Sequence, residues 1–98
     1  MMREIILGGE TYGMRCDMNV VEAIYAEYGS LEDMPEKLSI GDVKFLVSEM
    51  INEHAAFSGS QVRVTPEKVG ALLDVPEYVE AMRIVTACIS DCCTPKKK

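Results

Sequence analysis

The sequence predicts a mostly α-helical α+β fold, a small single domain with an N-terminal β-hairpin and a bundle of four or five helices. Two observations predict this class. Apolar and β-branched residues form two short runs around Gly8-Gly9, and apolar residues recur at helical spacing from residue 19 onwards. Because 98 residues with 48% hydrophobic content suit one modest core, we expect a single domain over residues 1–93.

The hairpin is expected at about residues 3–16, with strands at residues 3–7 and 11–16. A Gly-Gly pair tolerates the positive φ angles that a tight two-residue turn needs. In the second strand, larger side chains alternate with small or polar ones, and the larger ones are Tyr12, Met14 and Cys16. One face of the hairpin should therefore pack against the helices.

The first helix is expected to begin with Asn19 as its N-cap, because Glu22 follows at capping-box spacing, and to end at Gly29. Ser30, with Asp33 three residues on, predicts a further helical start. Met34-Pro35 limits that segment to about one turn. This short linking segment would be the fifth helix of the bundle.

Three more start signals predict the remaining helices. Ser39 with Asp42 opens a helix at about residues 40–56, and Thr65-Pro66 opens a short one at about residues 66–73. The last helix begins near Asp74 and carries an apolar seam at spacings of four and three, formed by Tyr78, Met82, Val85, Ile89 and Cys92. Such a seam suits packing within the monomer or against a second copy.

Charge distribution points to a protein partner rather than to nucleic acid. The net charge is −6, and residues 1–53 hold 11 acidic and four basic residues. Nucleic-acid binding depends on basic side chains that displace counterions, so an acidic body favours a partner with a basic surface. The acidic run at residues 22–36 is either a solvated face or part of such a contact. Pro95 and the lysines after it predict an exposed basic tail at residues 94–98.

Hydropathy and the start of the chain predict a cytoplasmic protein. No apolar run approaches the roughly 20 residues that span a bilayer. The first residues lack a basic region followed by an apolar segment and a cleavage site, so we expect no leader peptide.

No motif predicts an enzyme, a cofactor or a small-molecule substrate. Gly8-Gly9 lacks both the Walker lysine and the G-x-G-x-x-G spacing of nucleotide-binding loops. His54 has no nearby nucleophile motif, and its helical spacing from Met50 predicts a partly buried histidine near a helix end. We therefore expect a protein without enzymatic activity.

The four cysteines allow a Cys-based metal or redox function as a third hypothesis. Cys88 and Cys92 lie one helical turn apart, and Cys16, Cys93 and His54 are the other available ligands. Structural zinc needs four ligands, and no pair here has C-x-x-C spacing. The simpler interpretation is that the cysteines are free and act as small buried hydrophobes, with no metal bound.

Residues 65–90 allow a second hypothesis, a helix-turn-helix regulator that binds DNA. A short helix, a tight turn and a longer helix follow one another there. Four acidic and two basic residues lie in this stretch, and the second helix lacks a base-reading pattern of Arg, Asn or Gln. Two helices packing on each other explain the same pattern.

Phe45 is the candidate partner-binding residue. It lies nearly opposite Val43 and Met50 on its helix, so it either contacts the hairpin and core or is exposed. An exposed aromatic side chain on an acidic surface would anchor a protein partner.

The first third of the chain resembles the tail assembly chaperones of long-tailed bacteriophages and prophages. The likeness lies in the order of its parts: Ile6 to Tyr12 with its Gly-Gly turn, Met14-Arg15-Cys16-Asp17, a helix opened by Asn19 with Glu22 and Glu27, and Tyr28-Gly29-Ser30-Leu31. The chain departs from the family's pattern at Gly13, where a larger residue would pack better. It departs again at Met34-Pro35, where the family usually continues a helix.

The resemblance implies a small, acidic, largely helical protein without enzymatic activity. It would act in the bacterial host cytoplasm, where it would bind the tape measure protein, the tail tube protein or both. Binding would keep their apolar surfaces soluble until tail polymerisation displaces the chaperone. Protein partners are thus expected, including a second copy of this chain, and nucleic acid, membrane and small-molecule ligands are not.

Overall fold

The computed structural model describes residues 3–93. An antiparallel hairpin precedes four helices, and the elements are β1 (Arg3–Leu7), β2 (Glu10–Met14), α1 (Met18–Tyr28), α2 (Ile40–Ser58), α3 (Pro66–Leu72) and α4 (Val75–Cys93). The predicted α+β class is confirmed, and 62% of the described residues are helical. The basic tail predicted at residues 94–98 lies outside the described residues.

The hairpin turns at Gly8 and Gly9, whose φ angles are +58° and +84°. Two consecutive positive φ angles characterise the type I′ turn, whose twist matches that of the flanking strands. The predicted alternation is confirmed, because β1 and β2 direct one shared face into the core through Ile5, Leu7 and Met14. β2 ends two residues earlier than predicted, and the Arg15 N–H instead donates to the Met50 carbonyl in α2 at 3.1 Å.

The N-cap of α1 is Asp17, so the prediction of Asn19 at this position was wrong. The Asp17 carboxylate accepts hydrogen bonds from the backbone N–H groups of Asn19 and Val20, at 3.1 and 3.3 Å. Asp and Asn are comparable caps, and the earlier start adds Met18 and Asn19 to the helix. The Asn19 side chain donates instead to Glu53 of α2, at 2.9 Å.

The segment between α1 and α2 contains no helix, so the bundle has four helices rather than five within residues 3–93. Gly29 ends α1 as predicted, with a φ of +99°. The Ser30 hydroxyl accepts from the Asp33 N–H at 3.1 Å, which makes a single turn. Pro35 follows, and the residue before a proline is disfavoured in the helical conformation.

A predicted capping box opens α2 and also connects it to α1. The Ser39 hydroxyl accepts from the Asp42 N–H at 3.1 Å, and the Asp42 carboxylate accepts from the Ser39 N–H at 2.8 Å. The other carboxylate oxygen of Asp42 accepts from the Tyr28 hydroxyl at the end of α1. Asp42 therefore ties the end of one helix to the start of the next.

Helix α2 lies at the centre of the core and contacts β2 and all three other helices. Its fully buried side chains include Val43, Leu46, Val47, Met50 and Ile51. On α4 the buried residues are Ala81, Val85 and Cys88, and only Val85 belongs to the predicted seam. The other four seam residues are half-buried. Small side chains at 81 and 88 allow the helix to pack closely, which turns the contact face toward them.

Residues 59–65 connect α2 to α3 without forming a strand. The Asn52 side chain holds this loop, because its amide donates to the Val64 carbonyl at 2.9 Å and accepts from the Val64 N–H at 2.8 Å. Both backbone groups of buried Val64 are thereby satisfied. Thr65 then caps α3 by accepting from the Lys68 N–H at 3.1 Å, as the Thr65-Pro66 start signal predicted.

Gly13 in β2 meets the ring of His54 in α2. A Cβ atom built at residue 13 would overlap the imidazole, with the Nε2 atom as its nearest neighbour. The expectation that a larger residue would pack better here was therefore wrong. Glycine allows the strand to approach the half-buried histidine closely.

We predict that Tyr28→Phe lowers the free energy of unfolding by about 1 kcal/mol at pH 7, because it removes the hydrogen bond to Asp42. That bond, followed by bonds from Ser39, lowers the pKa of Asp42. A lowered pKa stabilises the fold above the usual Asp value of about 3.9, and the contribution disappears as the pH falls through the folded-state value. Urea unfolding at several pH values should show the deficit shrinking in acid, with exposed Tyr25→Phe as the unchanged control.

Gly13→Ala should destabilise the protein by about 1 to 3 kcal/mol, because the new methyl group collides with the His54 ring. Adding His54→Ala to the same chain removes the obstacle. Urea unfolding of the two single variants and the double variant forms a thermodynamic cycle. The double variant should be more stable than the sum of the single effects, and additive effects would contradict the close packing.

Candidate protein-binding surfaces

The residues considered for metal binding do not form a metal site within residues 3–93. No group of three or more His, Cys, Asp or Glu side chains in this range is arranged to hold a metal ion. His54 lies near the end of α2, as predicted, with its Nε2 atom 3.4 Å from the Ser58 hydroxyl oxygen. Ser58 itself donates to the His54 carbonyl at 2.8 Å, so this pair is part of the helix end.

All four cysteines are free, and they differ in exposure. Burial, then hydrogen bonding to Cys92, raises the pKa of the Cys16 thiol. Burial, followed by the charge of Asp91, raises the pKa of the Cys88 thiol. Thiols with raised pKa values stay protonated at neutral pH and react slowly, unlike the cysteines of redox sites.

The proposed helix-turn-helix segment corresponds to α3, a two-residue turn and α4. At the start of α4, where a recognition helix would meet DNA, Val75 and Val79 are 75% and 48% exposed. Glu77 lies between the two valines in the sequence, and Glu80 directly follows Val79. Carboxylates repel phosphates and valines offer no hydrogen bond to a base edge, so this surface opposes DNA binding.

The Gly8-Gly9 turn packs against α3 at Gly8, whereas Gly9 faces open space. A Cβ atom at Gly8 would lie 2.8 Å from a methyl carbon of Leu72, which packs on the turn. The turn is thus part of the contact between the hairpin and the helices.

Phe45 is half-buried and packs on α1. Its ring meets the Tyr28 ring edge-on, with ring centroids 6.2 Å apart and an angle of 79° between the ring planes. The interpretation of Phe45 as part of the core packing is supported, because the ring also lies against buried core residues. Only part of this ring faces outwards, so other surfaces offer more apolar area to a partner.

The first of these surfaces lies on α1 and is called the α1 surface. Met18 is 75% exposed and Tyr25 is 48% exposed, two turns further along the helix. Val21 and Glu22 lie between them, and the four residues line one shallow groove. The opposite side of α1 is the buried one, through Val20 and Ile24. Met18 and Tyr25 therefore form a second apolar stripe that is exposed at both ends, with Val21 buried between them.

The second surface lies between β1 and α4 and is called the β1–α4 groove. Its lining residues are Glu4, Ile5 and Ile6 from the strand and Glu77, Glu80 and Ile84 from the helix. Ile6 is 57% exposed, on the face of the hairpin opposite the buried Ile5. The groove is thus apolar at its centre, and its charged lining residues are all carboxylates.

Other exposed apolar side chains are less suited to an acidic binding surface. Ile40 and Val75 lie near Lys44 and Asp74, whose charges are opposite. Phe57 is 67% exposed, but the Arg15 guanidinium lies 3.7 Å above its ring centroid and covers one face.

None of the helices formed by residues 3–93 is long and apolar enough to cross a membrane.

Sequence reasoning missed both the α1 surface and the β1–α4 groove, although each leaves a signal. Ile6 is an apolar residue at an outward position of an alternating strand. Met18 directly follows the Asp17 cap, outside the buried stripe of α1. The signal in both cases is an apolar side chain where the periodicity calls for a polar one.

We predict that the thiols of Cys16 and Cys88 react with N-ethylmaleimide at pH 7 at least ~10-fold more slowly than they do in concentrated urea, because burial keeps them protonated and shielded. Mass spectrometry of the digested protein would give the rate at each site. Exposed Cys93 serves as the internal reference, and Cys92→Ser separates its signal from that of its neighbour. Fast native labelling of Cys88 would contradict the packing.

Comparison with known proteins identifies no relative of this chain. No protein-family model matches it, and neither a curated protein nor a solved structure is significantly similar to it. A function must therefore be argued from the surfaces described above and from the resemblance in the first third of the sequence.

Proposed function

We propose that this protein is a tail assembly chaperone of a long-tailed bacteriophage or prophage. It is a non-enzymatic protein that binds the tape measure protein, the tail tube protein or both in the bacterial host cytoplasm. The observation that carries the proposal is the α1 surface, because it lies within the segment that resembles this family. It exposes Met18 and Tyr25 beside a carboxylate.

Methionine and tyrosine suit a surface that must hold an apolar segment and later release it. Methionine is unbranched and adapts to irregular partners, and aromatic side chains are enriched where proteins meet. The stripe on α1 spans only about two helical turns, from Met18 to Tyr25. A contact of this size is at the weak, reversible end of protein interfaces, as a chaperone that is displaced during polymerisation requires.

The acidic side chains near this surface supply a second part of the mechanism. Glu22 lies in the α1 surface, and Glu27, Glu32 and Glu36 are also exposed in the segment that follows. Their charge attracts a basic partner surface and speeds encounter. The same charge keeps copies of the chaperone apart, because the net charge of −6 makes them repel each other.

Two observations would test the assignment to tail assembly directly. The first is gene order: the coding sequence should lie between the genes for the tail tube and the tape measure protein. The second is co-expression with the tape measure protein encoded beside it, which should remain in the supernatant only when this protein is present. A gene located away from tail genes, or a tape measure protein that is equally soluble alone, would overturn the proposal.

Within this function, the double variant Met18→Ser with Tyr25→Ser should lose at least ~10-fold in affinity for that tape measure protein, since truncating two interface anchors typically costs over 1 kcal/mol each. Both side chains are exposed, so the free energy of unfolding should change little. The matched control is Val75→Ser with Val79→Ser, which removes two exposed apolar side chains on α4. Isothermal titration calorimetry would measure both variants, and equal losses would show that the α1 surface is not the binding site.

A further inference from the structure

We propose that the open edge of β1 binds an extended, basic peptide segment, which joins the hairpin as a third strand in the β1–α4 groove. This site is distinct from the α1 surface, and it stands whether or not the protein acts in tail assembly. The proposal rests on the strand register, the unpartnered backbone of β1, the shape of the groove and its charge.

The register fixes which backbone groups of β1 face outwards. The two-residue turn makes Leu7 and Glu10 a hydrogen-bonded pair, because they are the first and last residues of the turn. Hydrogen-bonded pairs alternate with non-hydrogen-bonded ones along an antiparallel ladder. Ile5 therefore bonds inwards to Tyr12, whereas the N–H and C=O groups of Glu4 and Ile6 point away from β2.

These outward groups have no partner within residues 3–93. The backbone hydrogen bonds found outside the helices and the hairpin include the one that fixes the end of β2, from Arg15 to Met50. None of them reaches Glu4 or Ile6, and no side chain in the described range bonds to their backbones. An edge strand with free N–H and C=O groups is a ready template for another strand.

Helix α4 lies alongside the open edge of β1 and forms one wall of the groove. Glu77, Glu80 and Ile84 follow one another at spacings of three and four residues, so they form a stripe on the side of α4 that faces β1. Further along the helix, Asp91 accepts a hydrogen bond from the Arg3 side chain at 2.8 Å, which fixes the strand and the helix side by side. A strand added beside β1 would rest on Ile84 and pass between carboxylates.

The negative charge of the β1–α4 groove determines which kind of peptide segment it binds. The charged lining residues are Glu4, Glu77 and Glu80, and the neighbouring bases Arg83 and Arg3 are already paired with Glu80 at 3.2 Å and Asp91 at 2.8 Å. A second copy of this chain pairing edge to edge would bring the same carboxylates together, and like charges on neighbouring strands are unfavourable. In a segment in which Lys or Arg alternates with apolar residues, the basic side chains lie on the outer face, where they meet Glu4 and their stems cover Ile6, and the apolar side chains rest on Ile84.

This mode of binding is β-strand addition, in which backbone hydrogen bonds provide affinity and alternate side chains provide specificity. The probe is a blocked eight-residue peptide of alternating lysine and valine. On ¹⁵N-labelled protein, NMR-detected hydrogen exchange should slow at least ~10-fold at the Glu4 and Ile6 amides when the peptide is saturating, because both amides gain hydrogen bonds. Thr11 and Gly13 are their counterparts on the far edge of the hairpin, so exchange of those amides should not change.

Two versions of the peptide, N-methylated at alternate amides, test the backbone contact. In one version the methyl groups replace the N–H groups that face β1, and in the other they lie on the far edge. The version whose methyl groups replace the N–H groups facing β1 should bind at least ~10-fold more weakly than the other, because it lacks the donors that pair with β1. Equal affinities would mean that charge alone holds the peptide, and they would overturn the proposal.

Charge variants complete the test. Glu4→Gln with Glu80→Gln should weaken binding several-fold at low salt and reduce its salt dependence, because exposed ion pairs contribute modestly and are screened. Glu49→Gln with Glu67→Gln makes the same change in net charge at residues that line neither surface and should leave binding unchanged. Glu77 is not substituted, because its carboxylate accepts from the Asp74 N–H at the start of α4.

Two results overturn the proposal outright. One is equal weakening by both pairs of charge variants, which would make the attraction a property of the whole acidic surface. The other is slowed exchange at Glu4 and Ile6 that appears without peptide and grows with protein concentration, since a second copy would then occupy the edge.

Discussion

The rest of the structure depends on the burial of the apolar side chains in the middle of α2. Its nineteen residues lie between the hairpin, α1, α3 and α4, and Val43, Leu46, Val47 and Met50 have no exposed surface. Both ends of the helix are exposed, and the chain itself caps each of them. Ser39 and Asp42 close the first, and Gly59 closes the second by donating to the Ala56 carbonyl. Each element that packs on α2 then needs only one apolar face to complete the core.

Local chemistry made most of the fold predictable. The Gly-Gly turn, the Ser39 capping box and the Thr65-Pro66 start each act within a few residues, so the sequence alone indicates them. Predictions failed where the outcome depended on contacts between distant elements. Asn19 and Asp17 are comparable caps by residue type, and the contact of the Asn19 side chain with Glu53, 34 residues away, is not visible in the sequence. Gly13 looked like a packing defect because His54, its neighbour in space, is 41 residues away.

The candidate surfaces were less predictable than the fold. A binding surface is apolar area that packing leaves uncovered, and a pattern of apolar residues does not tell which of two stripes faces the core. On α1, Val20 and Ile24 are buried whereas Met18 and Tyr25 are not. Phe45 stood out in the sequence for its polar neighbours, yet the Tyr28 ring covers part of it. The edge of β1 leaves no trace in composition, because its free groups belong to the backbone.

The Asn52 side chain determines where the chain can change in length without disturbing the fold. Its amide group pairs with both backbone groups of Val64 as a neighbouring strand would, so the connection from α2 to α3 is anchored at one residue. Between Gly59 and Arg63 the chain is exposed and forms no regular element. Insertions or deletions there would lengthen or shorten the loop without moving the start of α3. Related sequences should therefore differ in length in this stretch while keeping an Asn at the position of Asn52, because an amide supplies both the donor and the acceptor.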